Sequence, residues 1–157
     1  MSTSMVVIFR LHRQEYAVDI AGVQEIVRLV KITHVPRAPR HIKGVINLRG
    51  NILPVVDLHG FFSLPPRVNS ERTRIVIIRS GGRTMGFIVD EVLEVRSFNL
   101  DALEPPPYLE EKKGKNFARG VIRLGERLVM LLNVDVIMNE LLQAGEENGR
   151  GVCTNGS

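Results

Sequence analysis

Only one cysteine, Cys153, occurs among the 157 residues, in a stretch rich in Gly, Asn and Ser near the C-terminus. It excludes an internal disulfide and a cysteine-based metal site, and a reducing compartment fits. Tryptophan is absent and aromatic residues make up 5% of the chain, which leaves little with which to build a platform for stacking bases. No segment approaches the roughly 18 consecutive apolar residues of a membrane span. The N-terminal apolar run, Met5 to Phe9, ends at Arg10 and is too short for a signal-peptide core. A cytoplasmic chain is therefore expected, reaching a membrane only through a partner.

The residues of catalysis are equally thin. His12, His34, His41 and His59 show no metal-ligand spacing, and turn or loop positions account for them. Gly81-Gly82 lacks the Lys-Ser/Thr that a phosphate loop requires, and no G-x-S-x-G elbow occurs. Ser4, Ser63, Ser80 and Ser97 have no evident base, and Glu91 and Glu94 fit a solvated face as well as a catalytic dyad. No enzyme activity, metal or cofactor is expected.

What is present is the composition of a globular protein, 44% hydrophobic and 24% charged, long enough for one ordinary domain or two small ones sharing a core. The net charge of +4 and pI near 9.6 raise nucleic acid as a partner. Against it, the basic residues are scattered: Arg37, Arg40 and Lys43, then Arg72, Arg74, Arg79 and Arg83, then Arg119, Arg123 and Arg127. A solvated basic surface is the better reading.

The organising stretch is His41 to Leu58. Two β-branched runs, Val45 to Leu48 and Ile52 to Val56, flank Arg49-Gly50-Asn51, the pattern of a hairpin whose glycine takes positive φ. Arg49 then stands on a rigid exposed turn, either solvating a loop or gripping a carboxylate. Upstream, Val6 to Leu11 and Tyr16 to Ile20 read as a hairpin around a polar turn. Val23 to Val27 fits a corner running into a strand, or one short helix. Val23 beside Glu25 faces either outward, as a small apolar patch rimmed by charge, or inward as core. Pro54 argues for an edge or bulge, and Asp57 to Phe62 for a capped turn with Phe61 and Phe62 inward.

The plan then recurs. Tyr16 to Ile26 aligns with Met85 to Val95, pairing Val23 with Val92, Glu25 with Glu94 and Ile26 with Val95. Gly44-Val45-Ile46-Asn47-Leu48 aligns with Gly120-Val121-Ile122-Arg123-Leu124. Two small β-barrel units of about 16–84 and 85–144 follow, with the N-terminal strand crossing over and a groove between them. Pro105 to Pro107 and Glu110 to Gly114 read as a solvated excursion. Asn133 caps a short helix with the stripe Val136, Ile137, Met138, Leu141 and Leu142, ended by Gly145, and residues 145–157 read as a disordered tail.

The run F-R-L-H-R-Q-E-Y-A-V-D-I-A-G-V-Q-E-I, with H-I-K-G-V-I-N-L-R-G-N-I-L-P-V-V-D-L, G-F-I-V-D-E-V-L-E-V and G-V-I-R-L-G-E-R-L-V-M-L-L-N-V in the same order, resembles the CheW family of chemotaxis coupling proteins over about residues 5–144. The resemblance implies a mainly β fold of two intertwined five-stranded SH3-like barrels with a short C-terminal helix. It implies a non-catalytic adaptor of two-component signalling that binds the cytoplasmic tip of chemoreceptors and the regulatory domain of the histidine kinase CheA. Carried over by motif, Glu25 and Arg49 are the receptor-coupling charges, Val23, Ile26 and Val89 supply apolar contact, and Gly44, Leu48 and Gly50 lie at partner-binding positions. Ala17 stands where the family often has Gly. A nucleic-acid-binding barrel and a detached kinase regulatory domain are the alternatives.

Overall fold

Short β-branched runs broken by glycine and polar turns become strands in the computed structural model, which describes residues 3–105, 111–112 and 115–149. The strands are β1 (Thr3–Leu11), β2 (Gln14–Asp19), β3 (Val23–Arg28), β4 (Ile42–Leu48), β5 (Asn51–Asp57), β6 (Arg74–Ser80), β7 (Arg83–Val89), β8 (Glu91–Asn99), β9 (Glu111–Lys112), β10 (Lys115–Asn116), β11 (Ala118–Leu124) and β12 (Arg127–Leu132). Two α-helices, α1 (Leu58–Phe61) and α2 (Val134–Gly149), complete them. The chain is mainly β, as expected. Residues 106–110 and 113–114 of the expected excursion lie outside the described residues, and β9 and β10 pair as a small hairpin.

Ten strands form two five-stranded sheets. The first has the order β8-β1-β2-β12-β11, the second β3-β6-β7-β5-β4. The repeat equates β1-β2 with β6-β7, β3 with β8, and β4-β5 with β11-β12, so the two orders superimpose. Each repeat lends its first hairpin to the other's sheet, which makes the units intertwined. Sheet membership therefore does not follow a division at 84/85. Gln14–Asp19 belongs to the first sheet and Arg83–Val89 to the second, and the whole first hairpin, not one strand, crosses over.

The reason is burial on both faces. Along β7, Met85, Phe87 and Val89 enter one cluster while Ile88 enters another; β1 does the same with Phe9 and Ile8. Three cores result: one inside each sheet, and a larger one in the seam between them, where Phe9, Tyr16, Val56, Phe87 and Phe117 meet. The groove expected between the barrels is thus a packed seam. Among the described residues open depressions remain at the surface, one of about 390 Å³ lined by residues that include Asp19, Arg79, Arg119 and Asp135.

Each sheet is closed by a connector. After β3, Thr33 exchanges both backbone hydrogen bonds with Val45 of β4, at 2.8 and 2.9 Å; in the other repeat Glu104 does so with Val121 of β11, at 3.0 and 2.9 Å. Both crossings pass over a glycine. A Cβ on Gly44 would stand 2.3 Å from the Thr33 oxygen, and one on Gly120 2.6 Å from the Glu104 oxygen. Pro54 is tolerated in β5 because pairing with β7 begins only at Val55, so its missing N–H falls on a local edge.

Helix caps match the sequence. Asp57 accepts from the His59 amide at 3.0 Å, and Asn133 from the Val136 amide at 3.2 Å. Ile137, Met138 and Leu141 pack into the seam with Val136 and Leu142 beside them. Gly145 does not end α2, which runs to Gly149. One glycine costs only about 1 kcal/mol in a helix interior, and Gln143, Ala144, Glu146 and Glu147 around it are tolerant of that geometry. Residues 150–157, with Cys153, lie outside the described residues.

His59 is no loop histidine. It is buried, with Nδ1 2.7 Å from the Pro65 carbonyl and Nε2 2.9 Å from Asp90, and Asp90 in turn accepts from the His12 amide at 2.7 Å. The ring pins the loop after α1 to the end of β7. Replacing His59 by Leu removes both contacts of a buried ring, so a loss of about 2 kcal/mol in urea unfolding is expected.

Candidate protein-interaction site

Glu25 owes its place to the pattern of β3. Val23, Glu25 and Val27 are half-buried while Gln24, Ile26 and Arg28 are exposed, and a bulge between Val23 and Glu25 adjusts the register against Ile78 and Ile77 of β6. Val23 packs against the seam core, which settles its orientation as inward. The strand follows a 3-10 corner, Ile20–Gly22, whose Asp19 cap accepts from the Ala21 amide at 2.9 Å.

Arg49 sits in a two-residue turn, because Leu48 already pairs with Asn51. Both turn residues are left-handed, Arg49 at φ 52° and Gly50 at φ 88°, the type I′ geometry that suits hairpin twist. Glycine takes this conformation freely, while arginine gives up about 1 kcal/mol. Asn47 Oδ1 holds the turn by accepting from the Gly50 amide at 2.9 Å.

These two charges meet. Arg49 Nη1 and Nη2 donate to Glu25 Oε2 and Oε1, each at 2.6 Å, a fork-to-fork pair. Sequence spacing of 24 residues gave no hint of it. The Arg49 side chain stays 69% exposed and that of Glu25 24%, so the pair lies at the surface. It ties an edge strand of the second sheet, β3, to the turn that follows the opposite edge, β4. The hydrogen bond from Arg49 holds the Glu25 carboxyl below its usual range, with the guanidinium's charge adding to it and partial burial opposing. A depressed carboxyl keeps its contribution above the ordinary carboxylate range and loses it as pH falls through the lowered value.

The other predicted residues scatter. Ile26 is 37% exposed and Gly50 is exposed with open space around its α-carbon. Leu48 is half-buried against the second sheet's own core. Gly44 is buried beneath the connector. Val89 is fully buried in the seam, so an apolar contact to a partner through Val89 is corrected: both faces of β7 are interior.

The second sheet's arrangement has a counterpart on the first. Glu94, the repeat equivalent of Glu25, lies 2.8 Å from Arg127, which also donates to Glu15 at 2.8 Å. The hydrogen bond from Arg127 holds the Glu94 carboxyl below its usual range. Exposed apolar residues recur as well, Ile26 and Ile52 on one sheet, Val95 and Leu128 on the other. Sequence reading did not single out Arg127 and Leu128 as a site, although the repeat alignment sets Glu94 on Glu25 and, carried on past Leu48 and Leu124 without a gap, sets Leu128 on Ile52.

Among the described residues no group of three or more His, Cys, Asp or Glu is placed to hold a metal ion, and no helix is long and apolar enough to cross a membrane. The CheW-like domain pattern matches residues 5–142. The chain belongs to the CheW-like family. It is 33% identical over 132 residues to a chemotaxis protein CheW of Klebsiella aerogenes, covering 84% of this chain and 80% of that one. Protein FrzA of Myxococcus xanthus is 34% identical over 99 residues, 63% of this chain and 62% of its own. The crystal structure of the scaffolding protein TtCheW from Thermoanaerobacter tengcongensis matches with TM-score 0.76 at 34% identity, covering 85% of this chain and 86% of that one. A CheW-like, mainly β chain of two intertwined five-stranded units is what the sequence resemblance implied; the exchange of whole hairpins is what the structure adds.

Proposed function

We propose that this chain is a non-catalytic chemotaxis scaffold that couples the cytoplasmic tip of chemoreceptors to the regulatory domain of the histidine kinase CheA, and that it works in the cytoplasm. The support is membership of the CheW-like family over nearly the whole chain, together with relatives named as chemotaxis and scaffolding proteins. Those relatives favour neither a nucleic-acid module nor a detached kinase regulatory domain.

The Glu25–Arg49 pair carries the placement of the receptor contact. It is a surface-exposed element with exposed Ile26 next to Glu25 on β3 and exposed Ile52 just after the Arg49 turn on β5, an apolar and charged mixture suited to a weak protein contact. Many weak contacts held in one array sum to a firm one. Because Glu25 occupies both arms of the Arg49 fork, the partner meets a neutral paired unit.

Arg49→Glu sets two carboxylates against each other and is expected to weaken co-sedimentation with a receptor cytoplasmic fragment about tenfold. The melting temperature should stay within about 2 °C, since exposed pairs add little stability. Exchanging the charges in Glu25→Arg/Arg49→Glu restores the pair and is expected to recover binding. Single reversals that bind like the unaltered protein would remove the pair from the site.

A further inference from the structure

The chain from the end of β3 through the connector to the start of β4 carries a regular strip of basic residues. Arg28, Lys31, His34, Arg37, Arg40 and Lys43 recur every third residue, and all six are exposed. Between them Leu29, Ile32, Val35 and Ala38, also spaced by three, are partly buried, with Leu29 and Ile32 packed on the second sheet's core. Pro36 and Pro39 suit a three-residue period, although turns at positive φ, at Arg37 and His41, break it into pieces. The strip is anchored by the Thr33–Val45 bridge, so it is held against the barrel.

Its charge is uncompensated. From Ile26 to Leu48 the chain has five Lys and Arg and no Asp or Glu, while the remainder has 16 Lys and Arg against 17 Asp and Glu. None of the strip's six residues has an ion-pair partner among the described residues. By contrast, Arg10, Arg67, Arg72, Arg96, Arg123 and Arg127 each lie within 3.7 Å of a carboxylate. Like charges gathered without counter-charge repel each other and raise a positive local potential. Such a surface is suited to a partner that supplies the missing carboxylates.

We propose that the strip from Arg28 to Lys43 is a docking surface for a carboxylate-rich polypeptide segment of a partner protein. The strip contributes no Phe, Tyr or Trp on which bases would stack, which disfavours nucleic acid. Its regularly spaced apolar side chains face inward and leave Val30 as the one exposed large apolar residue, too little to anchor beneath lipid headgroups. The family's scaffolding of proteins points the same way. This surface is separate from the Glu25–Arg49 pair, so it stands or falls independently of the receptor contact placed there.

The test uses the full chain with poly-L-glutamate as probe. Binding is expected to fall steeply from about 20 to about 200 mM salt, and titration should shift backbone amides of 28–43 first. Lys31→Gln/Arg37→Gln/Arg40→Gln should weaken binding about tenfold, with an unchanged or higher melting temperature. The charge-matched control Arg13→Gln/Arg79→Gln/Arg119→Gln, exposed cations elsewhere, should weaken it less than about twofold. Equal losses in the two variants, no binding of poly-L-glutamate, or tighter binding through the strip of duplex DNA or phosphatidylglycerol vesicles overturns the proposal.

Discussion

Phe87→Ala is expected to cost about 3–5 kcal/mol and to lower the stability of both sheets together in a single transition. Phe87 is fully buried at the middle of β7, paired with Val56 on one side and Val76 on the other, and its ring enters the seam shared with β1 and β2 of the first sheet. A cavity there removes contacts from both halves. Ile88→Ala, one residue along, empties only the second sheet's own core and serves as the comparison. Urea unfolding followed by far-UV circular dichroism and by tyrosine fluorescence in a Tyr108→Phe background, which leaves Tyr16, facing the seam from the first sheet, as the reporter, should give coincident curves for both variants. Two separated transitions in Phe87→Ala would mean that the sheets fold apart and that the seam is a contact between finished barrels.

Much of this architecture can be read from local pattern. Alternation and glycine turns mark β1-β2, β4-β5 and β6-β7; Asp57 and Asn133 cap their helices because short polar side chains reach the first free amides; and the Gly44/Gly120 match announces the repeat. What escapes local reading is pairing at long range. Nothing in the run Gly86 to Val89 says that one face will meet its own sheet's core and the other a different sheet, and so Val89, apolar and next to charged residues, reads equally as a contact surface or as core. His59 and Arg67 lie in a segment with the composition of a loop, yet Asp90 and Asp57 draw them inside. Glu25 and Arg49 are legible as charges; their pairing depends on the barrel closing. The cationic strip is legible in the sequence as spacing alone; that the connector is held against β4 through Thr33 and Val45 with all six residues exposed comes from the fold.

Gly44→Ala and Gly120→Ala are each expected to cost about 3 kcal/mol or more, against the gain of about 0.4–1 kcal/mol that glycine-to-alanine usually brings where the backbone permits it. The sign of the effect is therefore the measurement. At Gly44 the new methyl meets the Thr33 oxygen at 2.3 Å and the Ile32 side chain at 2.8 Å; at Gly120 it meets the Glu104 oxygen and the Leu103 side chain, both at 2.6 Å. The oxygens cannot yield without breaking the two hydrogen bonds that close each sheet. Gly22→Ala, where the nearest atom is 3.8 Å away, should leave stability within about 1 kcal/mol of the unaltered protein. Loss of partner binding in Gly44→Ala would then follow from an opened barrel, with the connector and its strip of cations displaced, and not from a contact made by the glycine itself. A Gly44→Ala chain that unfolds at the same urea concentration as the unaltered protein and still fails to bind its partners would reverse that assignment and put Gly44 in the interface.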